Sequence, residues 1–238
     1  MYDRPRVAVL IDGGFFLKRL PSLRPDLKGA DPASTADALN KLVGGHLYRL
    51  NRTYCASSHW SLLYRAFYYD AKPFEGSTER PVSRQRLDYS KTPEADFRNR
   101  LHAELRQTRK FAVRLGDVYR EHGWRLSEKA SKAVARQELL PTDLTDDHFE
   151  FGLRQKGVDM RIGTDMASIT LKRQANIIIL VAGDSDFVTT AKLARREGVE
   201  VILDPMGWSV RPALFEHIDG VQTGLPRRQM PQLNEQPE

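Results

Sequence analysis

Asn176-Ile177-Ile178-Ile179-Leu180-Val181-Ala182-Gly183-Asp184-Ser185-Asp186-Phe187 is the stretch on which the reading of this chain turns. Residues 176–181 read as a strand buried on both faces, the pattern of a parallel sheet covered by helices. Two carboxylates then follow a glycine. A second passage of this kind lies near the start, where Val7-Ala8-Val9-Leu10-Ile11 leads into Asp12-Gly13-Gly14. Carboxylates at the carboxyl ends of neighbouring parallel strands face the crevice where open α/β sheets place their ligands. Acids crowded there repel one another unless a divalent cation neutralises them. Oxygen-only ligation suits Mg²⁺ or Mn²⁺. The pattern points to metal-dependent phosphodiester hydrolysis. Asp after a strand is also a common turn residue or helix N-cap. One of Asp184 and Asp186 suffices as a cap, so the other is left to be explained.

Outward from these two strands, periodicity predicts an alternating α/β chain. Strands are expected over 6–11, 60–69, 111–121, 176–181 and 199–203, bounded by turn residues. Between the first two, Ser34 with Asp37 resembles a capping box, and Leu39, Leu42, Val43, Leu47 and Leu50 recur at helical spacing. Thr92-Pro93-Glu94 opens a helix to about residue 110. Helices are further expected over 159–173, 187–197 (ended by Gly198) and 210–218. Residues 123–155 read as an irregular helical insertion, with a polar helix over 126–140 and a loop over 141–147. Residues 1–220 form one domain in this reading. Residues 221–238, rich in Pro, Gln and Arg, read as a disordered tail.

The 238 residues suffice for a full core. No apolar run is long enough to span a membrane, and no signal segment opens the chain, so a cytoplasmic protein without a membrane partner is expected. The single cysteine, Cys55, excludes an intrachain disulfide and a thiolate zinc site. Net charge is +6, and its placement says more than its size. Between Arg84 and Arg136 stand 14 Lys and Arg against 7 Asp and Glu. Such an asymmetry fits a polyanion-binding face as well as a solvated helix surface. Arg98, Arg106 and Arg109 are the RNA-contact candidates there, with Tyr89, Phe97, Tyr119 and Trp124 nearby as core residues or stacking platforms.

Five segments then carry a resemblance: Ile11-Asp12-Gly13-Gly14, Tyr69-Asp70-Ala71, Lys156-Gly157-Val158-Asp159, Thr164-Asp165-Met166 and Gly183-Asp184-Ser185-Asp186-Phe187. In this order they resemble NYN-domain proteins, in particular the LabA-like branch of the PIN-like nuclease superfamily. The resemblance implies a PIN-like three-layer α/β/α fold with a mainly parallel central sheet. It also implies a Mg²⁺- or Mn²⁺-dependent ribonuclease. Asp12, Asp165, Asp184 and Asp186 match the acidic metal-site positions. Asp159 is either a further ligand or the N-cap of its helix. Asp159 and Asp165 are six residues apart, about 120° out of alignment on a helix, so both serve one site only if Asp159 precedes regular helix. The chain departs from the family at Phe15, where many members carry Asn.

The expected chemistry is attack on phosphate by a metal-activated water held within the aspartate cluster. Lys156 is a candidate for neutralising phosphate charge, or else a solvated loop lysine. Single-stranded RNA is the expected substrate, because unpaired bases can stack on aromatic side chains. The sequence is also compatible with a homo-oligomer. Two competitors stand beside this reading. One is a non-catalytic RNA-binding or regulatory domain. The other is a phosphatase with an aspartate nucleophile, which lacks support because no second acid follows Asp12 two positions on.

Overall fold

The structure is a computed structural model and describes residues 5–226. The tail expected over 221–238 lies outside the described residues from 227 on. The elements run β1 (Val7–Asp12), α1 (Gly13–Leu23), α2 (Pro32–Tyr54), β2 (Leu63–Ala71), β3 (Ser77–Glu79), β4 (Arg86–Asp88), α3 (Pro93–Gln107), β5 (Phe111–Leu126) and α4 (Glu128–Ala135). They continue through β6 (Phe149–Lys156), α5 (Val158–Leu171), β7 (Ile177–Val181), α6 (Val188–Arg196), β8 (Glu200–Asp204), α7 (Pro212–Phe215) and β9 (Gly220–Val221). Seven strands form one mainly parallel sheet in the order β6-β5-β2-β1-β7-β8-β9, and β3 and β4 form a separate hairpin.

The chain divides into two compact units. The first takes the residues up to Asp70, Arg100–Leu115 and those from Val158 on. Within it β1 is central, parallel to β2 on one side and to β7 on the other, with β8 and β9 continuing the parallel run. Val7 to Ile11 and Ile178 to Val181 are wholly buried, as their unbroken apolar sequence requires. Successive residues of β2 point to opposite faces. Tyr68 and Asp70 reach His102 of α3, while Tyr69 reaches Asp165 of α5. Helices therefore cover both faces, giving three layers of an α/β/α fold.

The second unit takes Ala71–Asn99 and Gly116–Gly157. The distal half of β5 pairs antiparallel with β6 there, Tyr119 opposite Arg154 and Trp124 opposite Phe151. Phe74, Tyr89, Trp124 and Phe151 form an aromatic cluster, and the Trp124 indole N–H donates to the Glu79 carbonyl at 2.7 Å. The stretch expected to be irregular and helical is thus partly strand. Its polar helix is short, Glu128–Ala135, capped by Ser127.

Three local expectations need correction. Helix α1 begins directly after β1, in a stretch where no helix is expected from the sequence. The cap of α2 is Asp31, not Ser34; its carboxylate accepts the Ser34 backbone N–H and the Ser34 hydroxyl, each at 2.9 Å. Past residue 220 the chain is still packed: β9 pairs with β8, and the Gly224 N–H donates to Asp204 at 2.8 Å.

Candidate functional site

Asp12 closes β1 and opens α1. Its Oδ1 accepts the Phe15 backbone N–H at 3.0 Å, so it is a helix N-cap as well as a strand-end acid. Gly13 is obligatory here, because a Cβ would lie 2.5 Å from the Tyr68 ring and 2.6 Å from the Tyr69 carbonyl oxygen. Since β1 and β7 run parallel with Ile11 opposite Val181, Asp12 and the Asp184–Asp186 loop emerge at the same sheet edge. Asp184 Oδ1 accepts the Asp186 backbone N–H at 3.4 Å.

The carboxylates sense one another. Burial, then the charges of Asp159 and Asp70, push the Asp12 pKa up to about 6 against the lowering effect of the Phe15 and Gly14 N–H groups. Asp159 is exposed overall, yet partial desolvation of its carboxylate and then the charges of Asp184 and Asp186 raise it too. Asp159 lies inside the first turn of α5 and not before it. Asp159 and Asp165 therefore face different directions, and the helix geometry separates them.

Asp165 has other company. Its Oδ2 accepts the Tyr69 hydroxyl at 2.9 Å and the Arg114 Nε–H at 3.2 Å. Burial and the Asp165 charge hold the Tyr69 phenol well above its ordinary range, so it remains a donor. Asp70, an acid hidden in an apolar strand, is buried and meets His102 Nε2 at 2.9 Å. It was not a sequence candidate. The signal for it was a lone carboxylate at the end of a buried strand beside β1.

The basic candidates divide between the units. Arg106 and Arg109 are exposed in the first unit. Arg98, in the second, is ion-paired to Glu94 at 3.2 Å. Lys156, also in the second, stands 5.6 Å over the ring of exposed Tyr119. Tyr89 and Trp124 are packed in the aromatic cluster.

Whether this set suits a divalent cation follows from its chemistry. All donors are carboxylate oxygens, and Asp12 and Asp159 are held above the ordinary carboxylate range by burial and then by neighbouring acids. Among the described residues, however, no three His, Cys, Asp or Glu form a group ready to hold an ion. The expected convergence of Asp12, Asp165, Asp184 and Asp186 on one ion position is not present in this conformation. Mg²⁺ commonly keeps several waters and uses only one or two carboxylates, and the donor set fits such a site.

A parallel α/β unit with acids at the carboxyl ends of β1 and β7 is consistent with a PIN-like α/β/α fold. The family model described as NYN domain matches residues 94–211, about half of the sequence, and the chain belongs to that family. The matched segment includes Asp159, Asp165, Asp184 and Asp186; Asp12 and Asp70 lie before it. No curated protein matches the chain. In structure it is similar to a protein of unknown function from Vibrio parahaemolyticus RIMD 2210633, at 14% identity and a TM-score of 0.43, covering 93% of this chain and 94% of that one. It is also similar to a Sir2–p53 peptide–NAD⁺ structure, at 10% identity and a TM-score of 0.35, covering 92% and 89%. A structure describing the mechanism and regulation of Sir2 enzymes gives 9% identity and a TM-score of 0.33, covering 94% and 88%. Among the described residues no helix is long and apolar enough to cross a membrane.

Proposed function

We propose that this chain is a metal-dependent ribonuclease that cleaves phosphodiester bonds of single-stranded RNA. The observation that carries the reading is the electrostatic crowding at the sheet edge. Burial and then the charges of Asp159 and Asp70 drive Asp12 up to about 6, and partial burial and then the charges of Asp184 and Asp186 raise Asp159. Such a set is unfavourable when empty and favourable around a cation. Mg²⁺ or Mn²⁺ would be held through one or two carboxylates drawn from Asp12, Asp159, Asp184 and Asp186, with waters completing its shell. The bound ion supplies a lowered pKa for an attacking water and neutralisation of charge on the scissile phosphate.

The remaining residues have supporting parts. Asp70, fixed by His102, adds negative potential behind Asp12. Asp165 is assigned a positioning role, tying α5 to β2 and β5 through Tyr69 and Arg114. Arg106 and Arg109 offer exposed charge to an RNA backbone. Arg98 and Lys156 are weaker candidates, since each already faces a neighbour.

A second reading, an RNA-binding domain without turnover, is favoured by the lack of a ready three-acid group among the described residues. Purified protein incubated with labelled single-stranded RNA and with a phosphate monoester, in Mn²⁺ or in chelator, separates the two. Cleavage of RNA alone, in Mn²⁺ alone, is the expected result. Stable RNA binding without cleavage in either condition supports the second reading.

A further inference from the structure

A cleft of about 270 Å³ opens beside the acids. Asp12, Phe15, Lys18, Asp184, Trp208 and Arg211 are among its lining residues. A cleft serving a cation alone would be lined by acids. This one sets cationic side chains beside two carboxylates and adds two aromatic rings.

The rings are placed by the fold. After β8 the chain turns through Met206 and Gly207, both at positive φ, and presents Trp208 at 53% exposure. Arg19 of α1 clamps this turn. Its Nε–H and Nη2–H donate to the Met206 carbonyl at 3.4 and 3.2 Å, and its guanidinium stands 4.7 Å from the centre of the indole. Trp208 is thereby fixed to the same helix that Asp12 caps. Phe15, which replaces the polar residue expected there, packs onto Gly183. A Cβ at Gly183 would fall 2.4 Å from the Phe15 ring, so the glycine preceding Asp184 makes room for it. A large, half-exposed indole held in place beside an acidic site has the form of a stacking platform.

Resting on the ribonuclease reading, we infer that this cleft is a nucleotide subsite. One unpaired base stacks at Trp208 and Phe15, while the adjoining phosphate is held by Lys18 and Arg211. The volume lies near the lower end for small-molecule sites, suited to a single nucleotide unit and not to a base pair. A base must leave a duplex to enter, so the subsite selects unpaired strands by shape. The Phe15 departure then becomes a gain of aromatic surface for the base.

The test uses full-length protein in chelator, so that no turnover intervenes. A short labelled oligoribonucleotide and an abasic ribose-phosphate chain of equal charge are titrated against wild type, W208A, W208F and the double variant K18A/R211A. Folding of each is checked by circular dichroism. W208A should bind the oligoribonucleotide about tenfold more weakly, the loss expected for one base–aromatic stack, while W208F should retain most of the affinity. K18A/R211A should lower the log–log salt slope by about 1.4. Wild type should prefer the oligoribonucleotide to the abasic chain. Equal binding of the two chains by wild type, wild-type affinity in folded W208A, or an unchanged slope in folded K18A/R211A overturns the subsite. Mn²⁺-dependent cleavage is scored separately. Cleavage without Trp208 dependence refutes the subsite and leaves the nuclease standing; Trp208-dependent binding without cleavage does the reverse.

Discussion

Tyr69 and Asp165 are joined across one face of the sheet, the phenol O–H donating to Asp165 Oδ2 at 2.9 Å. Arg114 Nε adds a second donor to the same oxygen at 3.2 Å. The pair links β2 to α5 and gives Asp165 a task that does not need an ion. Asp165→Ala should therefore destabilise the protein by about 1–3 kcal/mol, mostly by leaving a buried hydroxyl without an acceptor, since the half-exposed Arg114 ion pair adds little. Urea denaturation in chelator measures this. Unchanged or increased stability would place Asp165 with the repelling acids instead.

Asp12 should behave in the opposite sense. In metal-free protein it holds its proton up to about pH 6, whereas in the unfolded chain it ionises near the ordinary value of 3.8. Its contribution to stability is therefore complete below that value and is lost as pH rises toward 6. By linkage the loss is at most about 3 kcal/mol. Asp159, raised as well, acts in the same direction. Asp12→Asn keeps a good N-cap for α1 and removes the titration. Denaturation midpoints in chelator from pH 4.5 to 7 should show this variant gaining on wild type as pH rises. A difference independent of pH would mean that Asp12 is not held above its ordinary pKa.

How much of this was legible in the sequence depended on where the physical signal lay. Strands β1, β7 and β8 were plain because they are buried on both faces and carry uninterrupted apolar runs. Helix α1 was hidden by Gly13-Gly14 and Pro21; Gly13 admits the close packing of Tyr68, and the proline lies near the end of the helix. Strand β6 was missed because it pairs with β5 and is largely polar and exposed, though Phe149, Phe151 and Leu153 alternate as a strand should. The aspartates at the strand ends were visible from their spacing. Trp208 was not, because it acquires meaning only from Arg19, distant in sequence; Asp70 left a trace, a lone carboxylate closing a buried strand, but its coupling to Asp12 was not legible.

His46 and Asp204 form a wholly buried pair at 2.8 Å. Asp204 also accepts the Met206 and Gly224 backbone N–H groups, each at 2.8 Å, and so ties down both the turn that leads to Trp208 and the chain beyond β9. Asp204→Ala should cost about 3–5 kcal/mol, because it strands a buried histidine and two N–H groups. Asp204→Asn, which keeps one oxygen, should cost less. Equal and small losses in both would show that the pair is replaceable.

The basic surface of the first unit makes a separate prediction. Reversing Arg106 and Arg109 to Glu should weaken RNA binding and lower the log–log salt slope by up to about 1.4, near 0.7 for each phosphate of a single strand that is no longer neutralised. Filter binding over a salt series reads both quantities. Folded protein with an unchanged slope would identify these arginines as a solvated face.

The central claim is that acids from β1 and from the loop after β7 act together around one divalent cation. Its most direct measurement is the rate of single-stranded RNA cleavage in Mn²⁺ by purified wild type, Asp12→Asn and Asp184→Asn, with the rise in melting temperature on adding Mn²⁺ recorded for each. Wild type should cleave and should be stabilised by Mn²⁺. Both variants should lose cleavage by at least about a hundredfold, as expected when a site's charge stabilisation is removed, and should show a smaller Mn²⁺ shift. Cleavage that persists in Asp184→Asn, or that survives excess chelator in wild type, would contradict the account.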